Sequence, residues 1–528
     1  MNLKLLSAFL FLPFILSAQQ NNIDVLHYKF RINLNDVNDI IYGIAEIKVK
    51  FLQASNPVSV DLGLLNNKGK GMVVDKTEGA SVRGFSAKEE KINIFLNKTF
   101  NAGDTTSFVI SYHGIPADGL VISKTKYGRR GFFADNWPDR GHYWLPCHED
   151  PADKATVEFI ITAPEHYKVV ANGIQIEESL IGNGNKLTHW KEETRISTKV
   201  MVIGAADFAV QLVGLVNDRI PVYSWVYPEN KEKGFYDYAL AKEILPFYIN
   251  HVGPYGYKKL ANVQSRTQFG GLENANTIFY SESSVTGTRR SEGTIAHEIA
   301  HQWFGNMATE KSFGHLWLSE GFATYFTILY FENKYGKDTV LSILKNDRKQ
   351  VIAFSRTDYT TVVNTEEKDY MKLLNRNSYQ KGGWVLHMLR RELGDSVFWK
   401  SIRKYYATYA GGIADTEDLQ KVFEEVSGKN LTRFFRQWLY TWGQPMLNLS
   451  WEYNEKTNTL NGTVEQQQKN LFEFPLEIKI VYGNGKAVYK RLNMAKQKES
   501  FIVSMKEKPS GLILDPDVSL LFEESKKN

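Results

Sequence analysis

Residues 292 to 304 read Glu292-Gly-Thr-Ile-Ala-His297-Glu298-Ile-Ala-His301-Gln-Trp303-Phe304. His297 and His301 are four residues apart, so on a helix their imidazoles lie on one face, one turn apart. Two imidazoles at this spacing can bind one metal ion and still leave coordination positions free. Glu298 follows the first histidine directly, which lets its carboxylate reach a water on that metal. The stretch therefore has the H-E-x-x-H pattern of zinc hydrolases.

A catalytic zinc ion usually has three protein ligands, and the chain offers a third one further on. Glu320 lies in Trp317-Leu-Ser-Glu-Gly-Phe-Ala323, and eighteen residues separate it from His301. That distance is enough for the end of one helix, a turn and the start of another, for which Ser319 is the predicted N-cap. A chance H-E-x-x-H in a long chain is the alternative, and the Glu320 segment disfavours it. We therefore predict one zinc ion per chain, bound by His297, His301 and Glu320.

Two further motifs accompany this pattern, one on each side of it. Upstream the chain reads Gly270-Gly271-Leu272-Glu273-Asn274, and downstream it reads Tyr379-Gln380-Lys381-Gly382. Together with H-E-x-x-H and Glu320, these motifs resemble the aminopeptidase N family of zinc metallopeptidases, whose relatives include leukotriene hydrolase. The family's upstream motif is Gly-x-Met-Glu-Asn, so this chain has leucine in place of methionine. The resemblance implies a zinc-dependent aminopeptidase that hydrolyses N-terminal residues from peptides by attack of a zinc-bound water.

The resemblance also implies roles for individual residues. Glu298 is the general base, and Tyr379 stabilises the oxyanion that forms during attack. Glu273 pairs with the ammonium group of a free peptide N-terminus, which makes the enzyme an exopeptidase. For Tyr379 the alternative is a core tyrosine on a helix, and for Glu273 it is a surface glutamate after a glycine turn. The residues that the resemblance places around the substrate are Gly270, Gly271, Glu273 and Asn274.

Two segments in the N-terminal third also resemble the family. Residues 133–138 read Phe-Ala-Asp135-Asn-Trp137-Pro, and near Asp135 the family has a Gln or Glu that borders the pocket for the first side chain. Asp135 is therefore a candidate substrate-binding residue, with a turn residue ahead of proline as the alternative, while Trp137 stands where an acid is common. Residues 144–155 resemble a structural Pro-Cys-x-Asp-Glu-Pro-x-x-Lys-Ala segment. We interpret its adjacent Cys147 and His148 as packing residues rather than a second metal site.

Composition limits the remaining possibilities. The chain has 528 residues, of which 43% are hydrophobic, and a formal net charge of +5, which is too small over this length to indicate nucleic-acid binding. Cys147 is the single cysteine, so no disulfide can form within the chain. Residues 1–18 combine a lysine, an apolar run and Ser17-Ala18, which predicts a cleaved signal peptide, export to the periplasm or beyond the cell, and no stable membrane anchor. The oligomeric state stays open.

Strand and helix patterns divide the chain after the signal peptide into three parts. Residues 19–207 alternate between apolar and polar, which predicts an N-terminal β-sandwich-like domain. Residues 208–440 change to apolar spacings of three and four, mixed with a few strands, and resemble the family's thermolysin-like catalytic domain. Residues 446–524 alternate again and predict a small C-terminal β-sandwich. The predicted fold class is therefore α+β multidomain, a short form that lacks the family's large C-terminal helical domain.

Other functions share parts of this pattern. A lipid-epoxide hydrolase like leukotriene hydrolase uses the same zinc, but it depends on features that this sequence does not display. A non-catalytic binding module would not need the metal ligands, the base and the tyrosine all intact. An endopeptidase is disfavoured by Glu273. The predicted partner is a peptide with a free N-terminus, and its preferred first residue stays open.

Overall fold

The structure, a computed structural model, describes residues 22–525. The predicted signal peptide, residues 1–18, lies outside this range and stays a prediction. Among the described residues, no helix combines the length and the apolar character needed to cross a membrane.

The N-terminal part is built from strands that alternate between buried and exposed residues. The strands are β1 (Ile23–Asn33), β2 (Ile41–Phe51), β3 (Val58–Asp61), β4 (Gly71–Glu78), β5 (Val82–Lys88), β6 (Lys91–Leu96), β7 (Thr105–Ile115), β8 (Leu120–Lys124), β9 (Arg130–Ala134), β10 (Lys154–Pro164), β11 (Lys168–Ala171), β12 (Ile174–Gly182), β13 (Asn185–Ser197) and β14 (Ile203–Ala206). In β2 every second residue from Ile41 onward is buried, as a sheet with one covered face requires.

Three sheets organise these strands. The largest has the order β12-β13-β10-β1-β2-β7-β4, in which β1 is parallel to β10 and antiparallel to β2. The other two have the orders β11-β14-β9-β8 and β3-β6-β5. The predicted N-terminal β domain is confirmed.

Helices dominate the middle of the chain and pack beside one small sheet. Its strands are β15 (Ala209–Val216), β16 (Ile220–Val226), β17 (Leu260–Ser265), β18 (Gly271–Leu272) and β19 (Thr277–Ser281), and a separate pair is β20 (Thr309–Glu310) with β21 (Ile413–Ala414). The helices are α1 (Lys231–Tyr238), α2 (Leu240–His251), α3 (Glu292–Ala300), α4 (Trp317–Tyr335), α5 (Lys337–Ser355), α6 (Gly382–Leu393), α7 (Asp395–Tyr409), α8 (Thr416–Ser427) and α9 (Thr432–Leu439). The sheet has the order β15-β16-β17-β19-β18, so β18 is an edge strand.

The C-terminal part returns to strands. They are β22 (Met446–Asn454), β23 (Thr459–Gln466), β24 (Phe474–Val481), β25 (Ala487–Met494), β26 (Lys498–Ser504), β27 (Gly511–Leu514) and β28 (Glu523–Glu524). They form two sheets, β26-β23-β22-β28 and β25-β24-β27. Strands, then helices with a small sheet, then strands again make the α+β multidomain fold that the sequence predicted.

A buried lysine joins the N-terminal sheet to the loops around the middle helices. Lys154, the first residue of β10, donates hydrogen bonds to the carbonyls of Asn306 at 3.0 Å, Met307 at 2.8 Å and Gly412 at 3.0 Å. Burial lowers the pKa of its ammonium group to about 7, and the nearby charge of Lys199 acts in the same direction.

Two more buried lysines cross between parts of the chain. Lys199, just after β13, forms an ion pair with Glu310 in β20, and both side chains are inaccessible to solvent. Lys381, just before α6, donates to the carbonyl of Gly443 at 2.9 Å, near the start of the C-terminal sheets. Each ammonium group is therefore bound by an acceptor from another part of the fold, as burial of a charge requires.

Candidate active site

Helix α3 carries the two histidines on one turn. The apolar side chains of the helix, Ile295, Ala296 and Ile299, are buried. Their packing fixes the direction in which the histidines point. The helix ends at Ala300, and His301 is its C-cap residue with helical φ and ψ of −58° and −23°. The two imidazole rings therefore stay one turn apart, with ring centroids separated by 4.7 Å.

Glu320, in the first turn of α4, brings its carboxylate to both imidazoles. Its Oε2 lies 3.2 Å from His297 Nε2 and 3.3 Å from His301 Nε2. Ligand atoms that share one zinc at about 2.0–2.1 Å in a tetrahedron lie roughly 3.3 Å apart. Both oxygen–nitrogen distances match this spacing, and the three ligand atoms lie within 4.8 Å of one another, so their chemistry and arrangement suit a zinc ion. Among the described residues, no other group of three His, Cys, Asp or Glu side chains lies close enough together to hold a metal. The interpretation of Cys147 and His148 as packing residues stays a prediction.

The orientation of His301 is fixed by its other ring nitrogen. Nδ1 lies 3.1 Å from the carbonyl of Phe304 and 3.0 Å from Ser319 Oγ. A proton on Nδ1 donates to that carbonyl, which leaves the lone pair of Nε2 free for a metal. The prediction that Ser319 is an N-cap is wrong, because α4 begins at Trp317 after Leu316. Ser319 lies inside the helix, and its hydroxyl contacts the His301 imidazole instead.

Glu298 lies against a glycine of the upstream motif. A Cβ on Gly271 would lie 2.3 Å from Glu298 Oε1, so no larger residue fits there without displacing the carboxylate. No atom of the described residues lies within 4 Å of the corresponding position on Gly270, which leaves that backbone open to the cavity. Burial raises the pKa of the Glu298 carboxyl, the His301 imidazole lowers it, and the Glu273 carboxylate raises it. A bound divalent cation acts against such an increase.

Tyr379 lies in a single π-helical turn, Asn377–Lys381, directly before α6. Its ring stacks on the His297 imidazole with a centroid distance of 5.9 Å and an interplanar angle of 10°. Burial raises the pKa of the phenol, and the carboxylates around it add to that effect, so the hydroxyl keeps its proton at neutral pH. Turns of this kind are frequent at functional sites, and here the turn places the hydroxyl beside the metal ligands.

A glycine contact sets the distance between the Tyr379 turn and α4. A Cβ on Gly382 would lie 3.0 Å from Gly321 Cα and 3.3 Å from Trp317 Cβ. The two backbones therefore touch one residue after Glu320 and three residues after Tyr379. Helices approach this closely only where neither residue has a side chain, which explains the glycines in both motifs.

Glu273 lines the same cavity as His297, His301 and Glu320. Its backbone carbonyl accepts hydrogen bonds from Gln302 Nε2 at 3.1 Å and Asn306 Nδ2 at 2.6 Å. The side chain is 5% exposed, and within residues 22–525 its Oε1 has no hydrogen-bond partner. A buried carboxylate without a partner costs free energy unless a cation binds it.

Asn274, predicted to bind substrate, does not line the cavity that contains Glu273. Its side chain is 1% exposed, and its backbone N–H donates to the Leu272 carbonyl at 2.9 Å. This tight turn takes the chain away from the cavity after Glu273.

Asp135, predicted to border the pocket for the first side chain, is enclosed by contacts within the protein. Asp135 is 1% exposed and is absent from the cavity lining. Its carboxylate forms an ion pair with Arg140 and accepts a hydrogen bond from Thr267. The arginine that pairs with this acid lies only five residues later in the chain, but nothing in the local sequence marks the two residues as partners.

One cavity of about 380 Å³ is lined by the three candidate metal ligands, Glu298, Tyr379 and residues 270–273. Sequence reasoning did not assign its apolar wall, to which Trp137, Phe269 and Leu374 belong. Trp137 contacts both Phe269 and Phe313 edge to face, at centroid distances of 6.1 and 6.0 Å. The one available signal was that an aromatic residue occupies a position where the family commonly has an acid.

Comparison with known proteins agrees with this geometry. Residues 25–200 match the family description Peptidase M1 N-terminal domain, and residues 236–438 match Peptidase family M1 domain. Tricorn protease-interacting factor F2 of Thermoplasma volcanium is 28% identical, over 70% of this chain and 48% of its own. Aminopeptidase M1-C of Oryza sativa subsp. japonica is 30% identical over 60% and 38%, and probable aminopeptidase 2 of Sulfurisphaera tokodaii is 27% identical over 88% and 58%. The chain spans about half the length of the curated relatives that it matches.

Proposed function

Because the chain belongs to peptidase family M1, we propose that it is a zinc-dependent aminopeptidase that removes N-terminal residues from peptides. Membership confirms the resemblance to the aminopeptidase N family. The names of the relatives include aminopeptidases, which supports hydrolysis of peptide bonds as the reaction.

The observation that carries the proposal is that Glu273 lines the same cavity as His297, His301 and Glu320 and that its buried Oε1 has no hydrogen-bond partner among the described residues. A free peptide N-terminus is a cation near neutral pH and is the partner that this oxygen lacks. An ammonium group bound at Glu273 fixes the first residue of the peptide next to the metal site. The bond that reaches the metal is then the first peptide bond.

The residues of the chain divide the chemistry among them. His297, His301 and Glu320 would hold zinc, which supplies a Lewis acid for the scissile carbonyl and lowers the pKa of a water. Glu298 accepts the proton of the attacking water and delivers it to the leaving amine. The Tyr379 hydroxyl, which stays protonated, donates a hydrogen bond to the oxygen on which negative charge develops.

The test uses paired peptides of the same sequence, one with a free and one with an acetylated N-terminus. We expect the free peptide to be shortened one residue at a time and the acetylated one to stay intact. Efficient internal cleavage of the acetylated peptide would contradict the aminopeptidase assignment, and mass spectrometry distinguishes these outcomes.

The matched variants are Glu273→Gln, which keeps the size and removes the charge, and Glu273→Ala. Because a charge-assisted hydrogen bond contributes roughly 1.5–3 kcal/mol, both should reduce cleavage of free-amine peptides about ten- to a hundred-fold. If Glu273→Gln cleaves the free peptide as fast as the unmodified protein, Glu273 does not bind the ammonium group.

A further inference from the structure

We propose that Asp135 is a positioning residue that holds the loop leading into the amine-binding segment, and that it does not contact the substrate. The loop is Thr267–Gln268–Phe269, and the amine-binding segment is the following stretch, residues 270–273. The inference rests on the proposed function, because it takes Glu273 as the group that binds the substrate ammonium.

The contacts of Asp135 run from the N-terminal β domain to this loop. Its Oδ2 accepts a hydrogen bond from Thr267 Oγ1 at 3.0 Å and from the backbone N–H of Gln268 at 3.3 Å. Thr267 Oγ1 in turn accepts from the backbone N–H of Phe269 at 3.3 Å. One buried carboxylate therefore organises three consecutive loop residues.

The charge of Asp135 is already compensated. Arg140 pairs with its Oδ1 and also donates to the carbonyl of Trp137 at 2.8 Å and to Asp118 at 3.0 Å. The same guanidinium lies 5.9 Å from the centroid of the Phe269 ring. Because a paired, solvent-inaccessible carboxylate cannot also bind a substrate cation without losing Arg140, Asp135 is unsuited to select a basic first residue.

The amine-binding segment is held from both ends. Gln302 and Asn306, which follow helix α3, donate hydrogen bonds to the carbonyl of Glu273. Asp135 holds the loop before Gly270. Between these anchors Gly270 has open space where a side chain would be. The direction of the Glu273 carboxylate therefore depends on Asp135 as well as on Gln302 and Asn306.

The first two variants leave the ion pair intact, because Asp135→Ala would remove the buried partner of Arg140 and destabilise the protein. Thr267→Val removes the hydroxyl that joins Asp135 to the loop and keeps the shape of the side chain. Thr267→Ser keeps the hydroxyl and is the conservative control. Trp137→Leu changes a residue that does line the cavity and shows that the assay detects a change in the pocket.

The first measurement is KM and kcat on aminoacyl reporter amides with apolar and basic first residues. We expect Thr267→Val to raise KM about three- to ten-fold, as loss of one hydrogen bond predicts. The factor should be the same for every amide, so the ranking of the amides and the zinc content should not change. Thr267→Ser should restore KM, and Trp137→Leu should change the ranking. Asp135→Asn keeps an acceptor oxygen for Thr267 and loses the charge that pairs with Arg140, and it should leave the ranking of the amides unchanged. If Asp135→Asn changes the ranking between basic and apolar amides, Asp135 faces the first side chain and the inference is wrong.

The second measurement, amide hydrogen exchange of a peptide covering residues 266–274, needs no activity. Exchange should be faster in Thr267→Val than in the unmodified protein and unchanged in Thr267→Ser. Equal exchange in all three proteins would overturn the inference. If instead exchange responds but the unmodified protein cleaves no free-amine amide, the positioning role stands and the proposed function fails.

Discussion

Replacing Gly382 with alanine tests whether the contact between two helices sets the position of Tyr379. The added Cβ would lie 3.0 Å from Gly321 Cα and 3.3 Å from Trp317 Cβ, whereas carbon atoms in ordinary contact are about 3.5–4.0 Å apart. The start of α6 must therefore move by roughly half an ångström or more. The obstacle is backbone, which cannot rotate away as a side chain would.

Tyr379 precedes this contact by three residues, so its hydroxyl moves with the helix. A displacement of about 1 Å in a catalytic group can reduce a rate about a hundred-fold. We therefore expect Gly382→Ala to lower kcat by roughly ten- to a hundred-fold while zinc remains bound, and to reduce stability by about 1–3 kcal/mol through overpacking. Steady-state kinetics on a leucine reporter amide, metal analysis and thermal unfolding measure the three quantities.

The neighbouring glycine provides a matched control. A Cβ on Gly383 would lie 3.3 Å from the Thr324 methyl group and 3.6 Å from the Gly321 carbonyl oxygen, which a small side-chain adjustment can accommodate. Gly383→Ala should keep kcat within about three-fold of the unmodified protein. Adding Gly382→Ala to Tyr379→Phe should cost little further activity, because both changes remove the same interaction. If Gly382→Ala keeps the kcat of the unmodified protein, the reasoning is refuted. It is also refuted if Gly382→Ala lowers kcat by the same factor in the unmodified protein and in Tyr379→Phe.

Three further predictions concern single groups. Glu320→Ala should lose most bound zinc, because two imidazoles alone leave the site without its third ligand; full zinc content in this variant would show that the third ligand is wrongly assigned. Glu298→Gln should keep zinc and lower kcat by about two orders of magnitude or more, and near-normal turnover would remove Glu298 from the mechanism. Lys154 has a native pKa of about 7, below its unfolded value of about 10.4, so its charge opposes folding below pH 7 and this cost is relieved as pH rises toward 10. Unfolding free energy measured by denaturant should therefore rise less steeply from pH 7 to 9 in Lys154→Met than in the unmodified protein, by at most about 1.4 kcal/mol per pH unit; identical slopes would contradict the lowered pKa.

The sequence was most informative where the chemistry depends on residues close together in the chain. His297 and His301 come together because a single helical turn separates them, and Glu320 because it opens the next helix. The alternating strands likewise follow from local patterning, so the fold class could be predicted. These features need no knowledge of distant contacts.

The sequence was least informative where contacts between distant parts of the chain determine what a residue does. Asp135 looked available because nothing nearby in sequence marks Arg140 and Thr267 as its partners. Trp137 and Leu374 reach the cavity from separate parts of the chain, and no spacing rule connects them. The π-helical turn around Tyr379 is defined by its backbone geometry, which apolar spacing in the sequence does not report.

The buried lysines at the junctions limit how this protein can be recombined. Without the N-terminal strands, the carbonyls of Asn306, Met307 and Gly412 would lose their shared donor, and Glu310 would be left as a buried carboxylate without Lys199. Removing one partner of a buried pair costs about 3–5 kcal/mol, a large share of the stability of a typical domain. In a chimera that joins only the metal-binding helices to a foreign N-terminal domain, these buried acceptors would have no donor. The unit that can be exchanged between proteins is therefore the N-terminal strands together with the helices that they contact.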